Sequence, residues 1–206
     1  MGKSNSEFIF NMIAPVYGLF YNWQKKRFKE VIDAAKGTMD LDSFETILDI
    51  GCGTGALCSA LDKRGLLVTG VDTAEKMLNI GRHKLENKAV NFILGNALEK
   101  LPFEDKTFDV SIASYVAHGM GQKEREILYQ EMSRVTKHKV IIYDYNQKRS
   151  ILVSIIEWFE QGDYFNFIKS AEKEMHRYFL DVSVLNVTKG AAWYICIPVD
   201  AAAWKK

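Results

Sequence analysis

The run Asp49-Ile50-Gly51-Cys52-Gly53-Thr54-Gly55 sets three glycines at alternate positions behind an acid. Glycines so spaced permit a tight turn, positive φ and close approach of backbone to a ligand. Between a strand and a helix, such a loop also offers the unpaired N–H groups of a helix N-terminus. A second carboxylate, Asp72, stands twenty-one residues beyond Gly51. That is where nucleotide-binding sheets place the acid that grips two ribose hydroxyls. Each hydrogen bond to such a charged group contributes about 1.5–3 kcal/mol. Ala56 falls where a dinucleotide fingerprint has its third glycine, and GxGxxA is a tolerated variant, so the glycines alone leave NAD open. Among the histidines, His118 is the candidate general base, because it lies just past a strand at the mouth of the sheet. His83, His138 and His176 fall in helical or connecting segments. Cys52, Cys58 and Cys196 lack zinc-type spacing, and no His, Cys, Asp or Glu cluster has ligand spacing, so no metal is expected.

These residues need a scaffold, and the hydrophobic pattern supplies one. Residues 4–36 read as two helices. After them, short apolar runs alternate with helical periodicity. Strands are predicted over 44–50, 66–71, 90–94, 108–113 and 140–143. Helices are predicted over 56–64, 75–87 and 124–136, with Thr73 as N-cap of the second. Ile151, Leu152, Ile155, Ile156 and Phe159 show helical spacing, and a further helix is expected over 164–179. Strands over 182–187 and 192–197 close the chain around a Lys189-Gly190 hairpin turn. Alternation of this kind implies βαβ units and a parallel sheet with helices on both faces. The hairpin must add an antiparallel strand at or near one edge. The expected class is α/β: a Rossmann-like, doubly wound, mostly parallel seven-stranded sheet with a C-terminal antiparallel hairpin. Ligands of such sheets bind outside the carboxyl ends of the strands, where the candidate residues lie.

The chain has 206 residues, 48% apolar and 26% charged. One domain is the default at this length. It is divided here into a helical cap segment over 1–37 and an α/β core over 44–200 with a helical insert over 148–180. Twenty-seven basic residues face 26 acidic ones. A dedicated nucleic-acid binder shows a basic excess, so this balance argues against one. No apolar run approaches a membrane span and no secretory signal is visible. Reduced cysteines and a cytoplasmic location are expected.

Two further stretches, Asn96-Ala97 and Leu101-Pro102-Phe103-Glu104-Asp105-Lys106-Thr107-Phe108-Asp109, complete a recognisable series. With DIGCGTG and Gly70-Val71-Asp72, the sequence resembles the class I S-adenosylmethionine-dependent methyltransferases. It is most similar to the small-molecule group that includes the ubiquinone/menaquinone C-methyltransferases. The resemblance is strong over 47–113, and 10–17 is similar to that group's N-terminal helix. It implies S-adenosyl-L-methionine as cofactor and a small-molecule methyl acceptor. A monomer or homodimer is expected. Asp49 matches the acid that holds the amino-acid end of the cofactor. Gly51, Cys52, Gly53 and Gly55 match the loop along the methionyl part and ribose. Asp72 matches the ribose acid, and Thr73 and Met77 match residues lining the adenine. Asn96 stands where the family usually has Asp, accepting from the adenine amino group, and the N–H of Ala97 meets a ring nitrogen. Ser114 and Tyr115 match the floor beside the sulfonium. Tyr17 matches the N-terminal helix tyrosine, but Gly18 replaces the Asp that commonly follows it.

Aromatic residues concentrate over 8–23 and 158–179, which suggests a lid and an aromatic acceptor pocket. Lys25-Lys26-Arg27 with Lys29 reads as a solvated helix face, or as a patch facing tRNA or anionic lipid. Lys137-His138-Lys139 reads as the cationic end of a helix. The alternatives to a methyltransferase are an NAD(P)-binding oxidoreductase on a similar sheet and a non-catalytic regulator that binds the cofactor.

Overall fold

Apolar residues recur every seven positions at Ala14, Tyr21, Phe28 and Ala35, and this spacing builds one helix where two were expected. The structure, a computed structural model, describes residues 3–146 and 164–200. Helix α1 runs unbroken over Lys3–Ala35. Pro15 removes an N–H and costs a helix interior about 3 kcal/mol. The helix continues because its inner face is held along its length, by Ala14, Tyr21, Val31, Ile32 and Ala35, all buried. Ala14 and Ile13 pack with Ala74, Met77 and Ile80.

The described chain divides into two compact units, up to Asn96 and from Ala97. In the first, β1 (Thr46–Ile50), β2 (Leu67–Asp72) and β3 (Asn91–Leu94) are parallel, in the order β3-β2-β1. Crossover helices α2 (Ala56–Asp62) and α3 (Glu75–Arg82) join them. Helix α3 stops five residues earlier than its periodicity suggested, and a 3-10 turn over Leu85–Asn87 follows. Asn87 explains the stop: its amide donates to the Gly81 carbonyl at 3.1 Å, while its Oδ1 accepts from the Tyr21 hydroxyl at 3.1 Å. Thr73 is not the N-cap of α3; Ala74 holds that position without a side-chain cap. Two more distant oxygens do the work instead. Asp72 Oδ1 accepts from the Ala74 N–H at 2.8 Å, and Asn11 of α1 accepts from the Lys76 N–H at 3.0 Å.

In the second unit β4 (Phe108–Ser114) lies parallel to β5 (Thr136–Tyr145). The antiparallel hairpin of β6 (Asp181–Asn186) and β7 (Ala191–Ile197) follows, with β7 against β5. Helix α4 (Gln122–Val135) passes into β5 without a loop, so β5 begins four residues earlier than expected. Lys137-His138-Lys139 is therefore strand, not a helix end. The Thr136 hydroxyl donates to Ser111 Oγ at 2.7 Å, and Lys137 pairs with Asp109 at 2.9 Å. Between Phe108 and Val110 the register gains a residue on β5, a bulge that absorbs the extra length. Helix α5 covers Tyr164–Met175. The expected helical segment around Ile151–Phe159 lies outside the described residues. The strand order is β3-β2-β1-β4-β5-β7-β6, seven strands with β7 antiparallel to both β5 and β6, as the alternation and hairpin required. Among the described residues no helix is long and apolar enough to cross a membrane. Among them no group of three or more His, Cys, Asp or Glu is placed to hold a metal.

Candidate functional site

The loop from β1 to α2 takes its shape from left-handed backbone at Gly51 (φ 71°), Gly53 (φ 53°) and Gly55 (φ 76°). The N–H groups of Gly51 and Cys52 both donate to the Val71 carbonyl, at 2.8 and 3.1 Å, which ties the loop to the end of β2. Asp72 completes the tie: its Oδ2 accepts from the Gly53 N–H at 2.8 Å, and its Oδ1 from Ala74. One carboxylate thus fixes both the glycine loop and the start of α3. Burial raises its pKa, while the N–H groups of Ala74, Gly53 and Thr73 pull it back.

The glycines differ in what they leave open. A Cβ on Gly53 would meet nothing within 4 Å, whereas one on Gly55 would lie 2.5 Å from Phe92 Cζ and 2.9 Å from Asn87 Nδ2. Gly53 therefore fronts free space, and Gly55 is needed for packing behind the loop. Beneath them Asp49 is buried. Its Oδ2 accepts from the Cys58 thiol at 3.2 Å, and its Oδ1 has no partner. Burial, and secondarily the charge of Asp72, push its pKa up to about 7. Cys52 is buried, with its thiol pushed up to about 11 by burial. A buried carboxylate oxygen without a partner costs free energy unless a cation or donor meets it. Open space at Gly53, the orphaned Asp49 Oδ1 and the Asp72 carboxylate held at the end of β2 together fit an amino-acid-bearing nucleoside.

The remaining first-unit candidates are placed as follows. Met77 is buried in the group with Ala14 and Ala74. Thr73 follows Asp72 in a bend, and Asn96 is two residues beyond β3. Tyr17 stands in α1 one turn ahead of Tyr21. Gly18 faces Ile80, whose Cγ2 would lie 3.5 Å from an added Cβ.

In the second unit, Ala97 is buried and Ser114 ends β4 with its Oγ buried and without a partner. Tyr115 follows in left-handed backbone (φ 55°), an uncommon conformation for a bulky residue and one held here by its contacts. Its N–H donates to the Tyr143 carbonyl at 2.8 Å and its hydroxyl to the Tyr143 hydroxyl at 3.2 Å. Its ring lies 4.9 Å from that of Tyr143 and 5.3 Å from that of Tyr145. Burial raises its pKa, so the phenol stays protonated. His118, the candidate general base, sits in a 3-10 turn over Ala117–Gly119, almost fully buried. Its Nδ1 is 2.8 Å from Oδ1 of the fully buried Asp144, and its backbone N–H donates to Oδ2 of the same residue at 3.2 Å. Tyr145 stacks edge-on at 4.8 Å, and Tyr164 of α5 lies 5.0 Å beyond Tyr145.

Tyr164 belongs to the aromatic stretch over 158–179, whereas Asp144, Tyr143 and Tyr145 were not singled out from the sequence. The only local signal was Tyr143-Asp144-Tyr145, an acid at the end of an otherwise apolar strand. Asn11 lies in the stretch 10–17 similar to the family's N-terminal helix, but nothing local marks it as the cap of a helix 65 residues away.

Comparisons with known proteins find methyltransferases. Residues 48–143 match the family described as "Methyltransferase domain". Demethylmenaquinone methyltransferase of Bacillus cereus (strain B4264) is 38% identical over 125 residues, covering 55% of this chain and 50% of that protein. A Bacillus anthracis protein of the same name matches to the same extent. The chain thus spans about half the length of the curated relatives it matches. A protein of Pyrococcus horikoshii OT3 superposes with TM-score 0.69 at 24% identity, over 84% of this chain and 90% of that one. Magnesium protoporphyrin IX methyltransferase from Synechocystis, solved with bound SAH, gives TM-score 0.61 at 14% identity, over 85% and 83%. At these identities the structural likenesses concern the fold.

Proposed function

We propose that this chain, whose residues 48–143 match the family described as "Methyltransferase domain", is a class I S-adenosylmethionine-dependent methyltransferase that transfers a methyl group to a small-molecule acceptor. The observation that carries the reading is the linked pair of acids at the glycine loop. Asp72 is locked by Gly53 and Ala74, and Asp49 is buried with one oxygen unmet. In this proposal Asp49 takes the ammonium of the cofactor's amino-acid end, and Gly51, Cys52 and Gly53 pass along it. Asp72 accepts from the ribose hydroxyls. Thr73, Met77, Asn96 and Ala97 serve the adenine, and Tyr17, Ser114 and Tyr115 the remaining walls. Bound there, S-adenosylmethionine supplies an electrophilic methyl carbon on a sulfonium.

The protein's part is to orient and to manage a proton. Aligning nucleophile and methyl carbon contributes up to about 7–11 kcal/mol in ideal cases. Asp144 accepts from His118 Nδ1–H, which makes Nε2 the ring's proton acceptor. An acceptor O–H or N–H then loses its proton to Nε2, a step worth typically about 10²–10⁴-fold. The tyrosine rings around His118 favour a planar aromatic acceptor, consistent with relatives named for demethylmenaquinone.

The test is calorimetric titration with S-adenosylmethionine, S-adenosylhomocysteine and NAD, beside Asp72→Ala. Micromolar binding of the two sulfur compounds, lost in Asp72→Ala, is the expected result. Binding of NAD alone overturns the reading. A screen of phenols, quinols, amines and thiols with the labelled cofactor then separates an enzyme from a regulator that binds without turnover.

A further inference from the structure

We propose that the outer face of α1 docks on an anionic lipid bilayer surface. Helix α1 buries one side and leaves large apolar side chains on the other. Met12, Leu19 and Trp23 are 61%, 82% and 66% exposed, with Phe20 beside them at 55%. Spaced at i, i+7, i+8 and i+11, they form one stripe opposite buried Ala14, Tyr21 and Ile32, about 16 Å long at 1.5 Å per residue. Lone exposed apolar residues need no explanation, but a contiguous stripe of this kind marks an interaction site.

Charge selects the occupant. From Phe10 to Lys29 the helix carries Lys25, Lys26, Arg27 and Lys29 and no acid. Lys25 turns inward to Glu86. Lys26, Arg27 and Lys29 are exposed in the turn that follows Trp23, and the next acid, Glu30, lies 3.6 Å from Arg27. A two-fold contact between copies must be self-complementary, and this stretch offers cations to a partner stretch without a carboxylate. Nucleic acid would meet the cations but leave Leu19, Phe20 and Trp23 in water. A ridge with an aromatic residue at its edge and cations beside it matches the interfacial helix, whose apolar face enters the acyl boundary while the cations meet anionic headgroups. The inference is independent of the methyltransferase reading.

Co-sedimentation of the full chain with vesicles tests it, using phosphatidylcholine alone and phosphatidylcholine with one-third phosphatidylglycerol. Binding to the anionic vesicles is expected to be at least about tenfold tighter, and to weaken as salt rises from about 0.05 to about 0.5 M. Lys26→Gln with Arg27→Gln and Lys29→Gln should lower it by about a hundredfold, at roughly fivefold per cation. Leu19→Glu with Trp23→Glu should abolish it without moving the thermal midpoint, because both residues are exposed. Absence of binding, or equal binding to both vesicles, overturns the proposal. So does sedimentation velocity showing a dimer that Leu19→Glu with Trp23→Glu dissociates, which would make the stripe a contact between copies.

Discussion

Asp49 combines burial, one satisfied oxygen and one orphan, and its titration should be visible in solution. Its folded pKa of about 7 lies above the usual aspartate value. The folded state therefore binds this proton more tightly than the unfolded chain does. The stability that follows is fully present below the unfolded value near 3.9 and is lost as pH rises through about 7. Denaturant unfolding of the ligand-free protein should show wild type losing stability relative to Asp49→Asn between pH 4 and 7. Cofactor affinity should run the other way, since an ammonium favours the ionised acid. Calorimetric Kd should tighten up to about tenfold per pH unit from pH 6 to 7 and level off above, with little change in Asp49→Asn. At His118 the expected outcome is a loss of about 10²–10⁴ in kcat for His118→Ala with cofactor Kd unchanged. Asp144→Asn should lose kcat by more than tenfold, because an amide that donates to Nδ1 reverses the tautomer. Single-turnover rates beside titrations separate these effects from binding.

At the scale of elements, the β1–α2 loop and the α4–α5 pair make opposite demands. Gly55→Ala forces a Cβ to 2.5 Å from Phe92 at positive φ, and should lower stability by more than about 2 kcal/mol. Gly53→Ala meets open space and costs only the backbone term, about 1–2 kcal/mol, but should weaken cofactor binding more than Gly55→Ala. Urea unfolding and titration on both variants check the split. Arg125 of α4 meets Glu174 of α5 through two bonds, at 2.8 and 2.9 Å, and both are buried. Arg125 also donates to the Met120 carbonyl at 2.6 Å, beside the turn that carries His118. Removing one partner, as in Glu174→Gln, leaves a buried charge and should cost about 3–5 kcal/mol, while Arg125→Met with Glu174→Met should recover most of it. The elements themselves were largely legible in the sequence. Every described strand was placed within four residues, because buried parallel strands read as short continuous apolar runs. The misplacements have physical causes. Two helices were expected over 4–36 where the buried face of α1 carries one through Pro15, and Lys137-His138-Lys139 looked like a helix end because strand pairing through Thr136 is not written locally.

For the molecule as a whole, ligand linkage gives the simplest readout. Saturating S-adenosylhomocysteine at about a hundred times its Kd should stabilise the native state by about 2.7 kcal/mol. For a chain of this size that is a rise in Tm of roughly 5–10 °C, and Asp72→Ala should show none. Differential scanning fluorimetry measures both. The sequence by itself determined the sheet class, the glycine loop and the acid that ends β2. Each depends on neighbours in the chain: a turn that needs glycine, a strand that ends in an acid, a helix that begins after it. Only the tertiary structure decided that Asp72 locks the loop it faces, that Asn11 caps α3, that Arg125 meets Glu174 and that His118 is held by Asp144. Those contacts join residues 19 to 65 positions apart. A polar group buried by folding must find its partner in space, and local periodicity carries no record of which distant residue folding brings to it.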